Sequence, residues 1–175
     1  MDFTKNRNGL FIQMTGLSGA GKTTLARAVY SKLRSGGIMA DIIDGDEYRE
    51  GLCSDLGFSK EDRNTNVRRL GFVGRVLARN GVVAIMSAIN PYEDVRREIG
   101  GTLVYIKSSL SAVVDRDVKG LYAKALSGEI PNFTGISDPF EEPAEPALII
   151  ETDKESLEES IDKLYNFILN NTVMQ

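Results

Sequence analysis

GLSGAGKTT, residues 16–24, satisfies the spacing G-x-x-x-x-G-K-[ST] through Gly16, Gly21, Lys22 and Thr23. That spacing builds a cradle for phosphate. Glycines let the backbone wrap round an anion with its N–H groups turned inward. The start of the following helix adds about half a unit of positive charge. Lys22 has the reach for β- and γ-phosphates, and the Thr23 hydroxyl can ligate Mg²⁺. The flanks agree with a strand–loop–helix unit. Apolar Leu10, Phe11, Ile12 and Met14 precede the loop, and Leu25, Val29 and Leu33 follow at helical spacing until Gly36 and Gly37 stop the pattern.

Outward from this unit, short and nearly continuous apolar runs predict further strands at residues 39–43, 82–89, 102–106 and 147–150. Helical patterns fill the intervals. Residues 59–81 begin with Ser59 and Asp62, a capping-box-like start, and carry Val67, Leu70, Val73 and Leu77 as one stripe. Shorter helices are expected after Pro91 and over residues 109–118. A last helix over residues 156–171 places Leu157, Ile161, Leu164 and Ile168 on one face. Alternation of this kind predicts an α/β fold with a five-stranded parallel sheet between two helical layers. Residues 128–146 are rich in Pro, Gly and acidic side chains and lack a period, which predicts a long functional loop.

Composition narrows the chemistry. The 175 residues suit one domain, residues 1–175, and 42% hydrophobic with 26% charged residues is ordinary for a globular chain. A net charge of −4 argues against a broad nucleic-acid face. Cys53 stands alone, so no intrachain disulfide is possible. Residues 1–8 are polar, and no apolar run approaches the roughly 20 residues of a spanning helix, so neither a leader nor a membrane anchor is expected and the cytoplasm is the default setting. Histidine is absent. Histidine general bases, Ser-His triads and histidine metal sites are thereby excluded.

A guanine-reading Asn-Lys-x-Asp element does not occur, which argues against a switch GTPase. The strand at 82–89 ends in Ser87, Ala88 and Ile89 without the carboxylate that a hydrolase usually places there. The strand at 39–43 leads instead into Asp44-Gly45-Asp46, two carboxylates at the carboxyl end of a strand beside the phosphate loop. Without histidine, a carboxylate must handle any proton on an acceptor hydroxyl, and it can also hold Mg²⁺. The pattern suggests a kinase for a small hydroxyl substrate, with a plain Asp-Gly turn as the alternative. Arg49, Arg63, Arg68 and Arg69 cluster in an otherwise acidic chain and suggest an anionic acceptor. Arg63 and Asn66 share a helical face, whereas Arg68 and Arg69 point elsewhere.

GLSGAGKTT, DGDEYREGL, LGFSKEDRNTNVRR, INPY, RDVKGLYAKALSGEIPNFTGI and DPFEEP occur in this order. The chain thereby resembles the adenylylsulfate kinases, P-loop kinases of sulfate activation, from about residue 11 to residue 153. The resemblance implies a P-loop NTPase fold with a lid over about residues 116–146. It implies ATP-dependent phosphorylation of the 3′-hydroxyl of adenosine 5′-phosphosulfate, with Mg²⁺, a homodimer and possible association with a sulfate adenylyltransferase. It implies that Gly16, Leu17, Ser18, Gly19, Ala20, Gly21, Lys22, Thr23 and Thr24 hold the ATP phosphates, and that Arg116 and Thr152 flank its adenine. Asp44, Asp46, Arg49, Phe58, Arg63, Asn66, Ile89, Asn90, Lys119 and Phe133 would face the acceptor. In this reading Phe58 and Phe133 sandwich an adenine and Lys119 neutralises the transferring phosphoryl group. Asp46 orients or deprotonates the 3′-hydroxyl and joins Thr23 at Mg²⁺, with Asp44 assisting. Two positions depart from the family pattern. Asn90 replaces a serine often described as a phosphoserine intermediate, which favours direct in-line transfer, and Glu47 stands where asparagine is usual. A non-catalytic nucleotide-binding subunit and a kinase for gluconate or a nucleoside monophosphate are the alternatives.

Overall fold

The computed structural model describes residues 9–117 and 119–172. The expectation of a polar, leaderless start at residues 1–8 lies outside them. In chain order the elements are β1 (Leu10–Thr15), α1 (Lys22–Ser35), β2 (Ala40–Asp44), α2 (Gly45–Glu50), α3 (Lys60–Arg79), β3 (Val83–Ser87), α4 (Glu93–Ile99), β4 (Thr102–Lys107), α5 (Leu110–Arg116), α6 (Leu121–Leu126), β5 (Leu148–Glu151) and α7 (Leu157–Thr172). The five strands are all parallel, in the order β2-β3-β1-β4-β5. Each of the five expected strands is present, shifted by one or two residues at its ends.

The apolar runs of β1 and β3 serve two cores at once, because successive side chains point to opposite faces. Ile12, Met14, Val83 and Ile85 face the layer of α1 and α7, joined by Leu25, Val29, Leu33, Leu164 and Ile168. Phe11, Ala84 and Met86 face the other layer, where they meet Val67 and Leu70 of α3 and Val95 and Ile99 of α4. Ser59 caps α3: its hydroxyl oxygen accepts from the Asp62 N–H at 3.1 Å, and its O–H donates to the Asp62 carboxylate at 2.8 Å.

Two elements depart from the sequence expectation. Asp44-Gly45-Asp46 is not a plain turn; Asp44 is the N-cap of α2, its carboxylate accepting from the Asp46 N–H at 3.0 Å. Residues 121–126 form α6, whose start is capped when Asp117 accepts from the N–H groups of Tyr122 and Ala123. Both helices are too short for a clear apolar period, so their caps rather than their stripes define them. The irregular 128–146 segment closes on itself through a Thr134–Asp138 bridge.

Candidate active site

In a sheet of this order the crevice lies beyond the carboxyl ends of β1 and β3. The phosphate loop occupies that position between β1 and α1. A Cβ on Gly16 would stand 2.3 Å from the Ile106 carbonyl oxygen, so the loop can leave the sheet only as glycine. Gly21 starts α1 with φ 95, in the left-handed region that glycine tolerates. The loop is held from three sides. Gly16 N–H donates to the Ile89 carbonyl at 3.3 Å, Tyr122 O–H to the Ser18 carbonyl at 2.8 Å, and Thr152 O–H to the Ala20 carbonyl at 2.9 Å. Thr24 is exposed on the first turn of α1.

Lys22 is buried under the loop. Its Nζ donates to the carbonyls of Gly16 at 2.8 Å and Leu17 at 2.7 Å. Burial pulls its pKa down to about 7, against the opposing pull of Asp46. Thr23 Oγ1 donates to Asp44 at 2.9 Å and lies 3.2 Å from Ser87 Oγ. The parallel register sets Asp44 beside Ser87 across β2 and β3. One carboxylate and two hydroxyls beside a phosphate loop fit Mg²⁺, which keeps several waters and takes substrate phosphates. The carboxylate at this place is Asp44, not the expected Asp46. Asp46 is exposed two residues on, where it pairs with Lys119 at 2.5 Å. Ser87, read in sequence only as a missing carboxylate, thus belongs to the site.

The acceptor-side residues divide into three groups. Arg49 lies over the Phe58 ring at 4.4 Å and donates to the Gly57 carbonyl at 2.9 Å, while Phe58 itself is 67% exposed. Arg63 and Asn66 share α3 as expected. Arg63 donates to Thr134 Oγ1 at 2.6 Å, to Asp138 at 3.1 Å and to the Asn132 carbonyl. Asn66 is buried, and its Oδ1 has no partner among the described residues. Phe133 is 9% exposed and meets Tyr122 edge-on at 5.0 Å, at the margin of the main core. A large apolar ring gains more from that cluster than from a place on an open surface.

Asn90 is held inside the fold. It is 1% exposed, its backbone has φ 45, and its amide N–H donates to Gln13 Oε1 at 3.0 Å. Its carbonyl accepts from Thr15 and from Arg96, both at 2.9 Å. The buried Arg96 also donates to the Glu141 carbonyl at 2.6 Å and to Glu93 at 2.7 Å, holding the Glu93 carboxyl below the usual range. The amide N–H is thus engaged inside the fold, while the buried Asn90 Oδ1 has no partner among the described residues. Ile89 contributes its carbonyl, which accepts from Gly16 and from Thr15. On the other side of the loop Arg116 donates to the Thr152 carbonyl at 2.9 Å, which brings the two expected adenine neighbours together. Arg68 pairs with Glu98 and Arg69 with Asp55, away from this cluster. Glu47 is exposed.

Residues 8–151 match the family model described as adenylylsulphate kinase. The adenylyl-sulfate kinase of Rippkaea orientalis is 51% identical over 164 residues, covering 91% of each chain. Among solved structures, the APS kinase of Mycobacterium tuberculosis in complex with AMPPNP and APS superposes with a TM-score of 0.89 at 38% identity, over 93% of this chain and 99% of that one. The hexameric APS kinase of Thiobacillus denitrificans gives a TM-score of 0.72 at 31% identity, over 97% of this chain and 30% of that one.

Proposed function

The chain belongs to the adenylylsulfate kinase family, and from that premise we infer how its residues work: ATP is the donor and adenosine 5′-phosphosulfate the acceptor. The product is 3′-phosphoadenosine 5′-phosphosulfate. The single observation that carries this reading is the Thr23–Asp44 contact, which joins the phosphate loop to the start of α2, where Asp46 sits. Donor and acceptor groups thereby share one crevice.

Lys22 leaves the carbonyls of Gly16 and Leu17 for the β- and γ-phosphates. Thr23, Asp44 and Ser87 would hold Mg²⁺, which when bound would neutralise charge on the donor phosphates. Arg116 and Thr152 flank the ATP adenine. Phe58, backed by Arg49, offers a face on which the acceptor adenine stacks. Arg63 takes the phosphosulfate. Asp46 orients the 3′-hydroxyl and accepts its proton as the new O–P bond forms and the γ-phosphate leaves ADP. Lys119 exchanges Asp46 for the transferring phosphoryl group, where its charge acts on the transition state. Asn90 cannot form a phosphate ester and is buried, which supports direct in-line transfer. Residues 116–146 serve as a lid. The reading carries with it a cytoplasmic setting, a homodimer and association with a sulfate adenylyltransferase; the hexameric relative supports self-association.

A coupled assay with ATP, Mg²⁺ and a panel of acceptors tests this. Adenosine 5′-phosphosulfate should be phosphorylated, with gluconate and nucleoside monophosphates left untouched. Binding of adenosine 5′-phosphosulfate without product would instead make the chain a binding subunit.

A further inference from the structure

We propose that Asp138 is a positioning residue for the acceptor: it holds Arg63 so that one edge of the guanidinium is presented to the phosphosulfate. The inference rests on the adenylylsulfate kinase reading. Asp138 lies 75 residues beyond Arg63 and opens the DPFEEP stretch, to which no acceptor role is assigned in the sequence.

The donor count of Arg63 shows the arrangement. A guanidinium has five N–H donors. Nη1 donates to Thr134 and to Asp138, and Nη2 donates to the Asn132 carbonyl. Nε–H and one Nη2–H remain without an acceptor among the described residues. Nε and Nη2 form the edge that meets an oxyanion side-on, the geometry of strong bidentate pairing. Asp138 thus takes the end of the fork that the acceptor does not need. An internal competitor for the anion would take the open edge instead.

Asp138 is itself fixed. The Tyr92 hydroxyl donates to the same carboxylate oxygen at 2.5 Å, and burial with this contact pushes the phenol pKa up to about 12. The Asp138 N–H donates to the Phe133 carbonyl, and its carbonyl accepts from the Gly135 N–H. Tyr92 follows directly on Asn90 and Pro91, whose backbone is tied to Arg96 and Glu141. The ion pair is sheltered, with 14% of the Arg63 side chain and 19% of the Asp138 side chain exposed. A pair so enclosed restrains an arginine far better than a surface contact does.

The test compares Asp138→Ala and Asp138→Asn with the wild type in steady-state kinetics, varying each substrate while the other is saturating. In Asp138→Ala the KM for adenosine 5′-phosphosulfate should rise about 10-fold, with kcat and the KM for ATP within about twofold. Asp138→Asn keeps the acceptor oxygen and the shape, so its KM should rise only about threefold. An unchanged or lowered acceptor KM in the folded variants overturns the proposal, the second because it marks Asp138 as a competitor. Parallel rises in both KM values, with a lower melting temperature, overturn it too, since they mark a merely structural role. Where Asp138→Ala does not fold, the isosteric Asp138→Asn decides on the same criteria. A wild type that neither turns over nor binds adenosine 5′-phosphosulfate overturns the kinase reading and this proposal together. An active wild type with unaffected variants overturns this proposal alone.

Discussion

Lys22 shows how much one buried cation can couple. Its Nζ rests on two carbonyls of its own loop, and burial lowers its pKa to about 7 from 10.5. Between these values the unfolded chain binds more protons than the folded one, so this group makes stability rise with pH across that window. Polyphosphate reverses the shift, because an anion favours the ammonium form. Nucleotide binding at pH 8.5 should therefore take up about one proton, and at pH 6 almost none. Calorimetric titrations in buffers of different ionisation enthalpy measure this directly; no uptake at pH 8.5 would show Lys22 already charged in the free protein. Lys22→Ala should abolish turnover in the coupled assay, a fall of about 1,000-fold or more, without loss of the folded state. Asn90→Ser is expected to behave in the opposite way. It leaves the buried Gln13 Oε1 without its donor and puts serine at φ 45, where asparagine is better tolerated. Stability should fall by about 1–3 kcal/mol in a melting experiment. The rate should hold, and mass spectrometry should find no phosphoserine on the productive path.

Elements were legible in the sequence where they carry a long apolar pattern or a strong cap. The five strands, α1, α3 and α7 are of this kind. What stayed hidden depends on distance. Asp44, rather than Asp46, meets Thr23 because β2 lies one strand away from β1 with Asp44 in register with Ser87, a fact of strand order that no local spacing encodes. The contacts around Arg63 are hidden for the same reason, since their partners lie 69 to 75 residues further along the chain. Helix α3 also carries a packing rule invisible to its apolar stripe. A Cβ on Gly74 would stand 2.3 Å from the Phe11 ring, and one on Gly71 would stand 2.7 Å from Ile99 Cβ. These two glycines let α3 approach β1 and α4 closely. Gly74→Ala gains helix propensity of about 1 kcal/mol but forces the buried Phe11 ring aside, at a cost of about 1–3 kcal/mol or more. A net loss of stability is expected in chemical denaturation. A variant as stable as the wild type would show that Phe11 can move without penalty.

At the scale of the molecule, the sheet separates two cores, and the site draws unequally on them. Tyr122 and Ala125 of α6 and Phe133 beyond it belong to the core of α1 and α7, so α6 and the segment after it are anchored in the same apolar cluster that carries the phosphate loop's helix. Phe58 belongs to neither core and is 67% exposed. Two aromatic residues that the sequence pairs as equals should therefore separate under mutation. Phe133→Ala removes a buried ring that meets Tyr122, and it should cost about 3–5 kcal/mol of global stability. Because Tyr122 also donates to the Ser18 carbonyl, nucleotide binding should weaken in the same variant. Phe58→Ala removes only an open platform. Its melting temperature should match the wild type, while the KM for adenosine 5′-phosphosulfate should rise about 10-fold, in line with stacking worth about 1–3 kcal/mol. Denaturation and steady-state kinetics on the two variants check the division. Wild-type stability in Phe133→Ala would show that the segment opens independently of the core, and the crevice would then have to be built anew for each turnover.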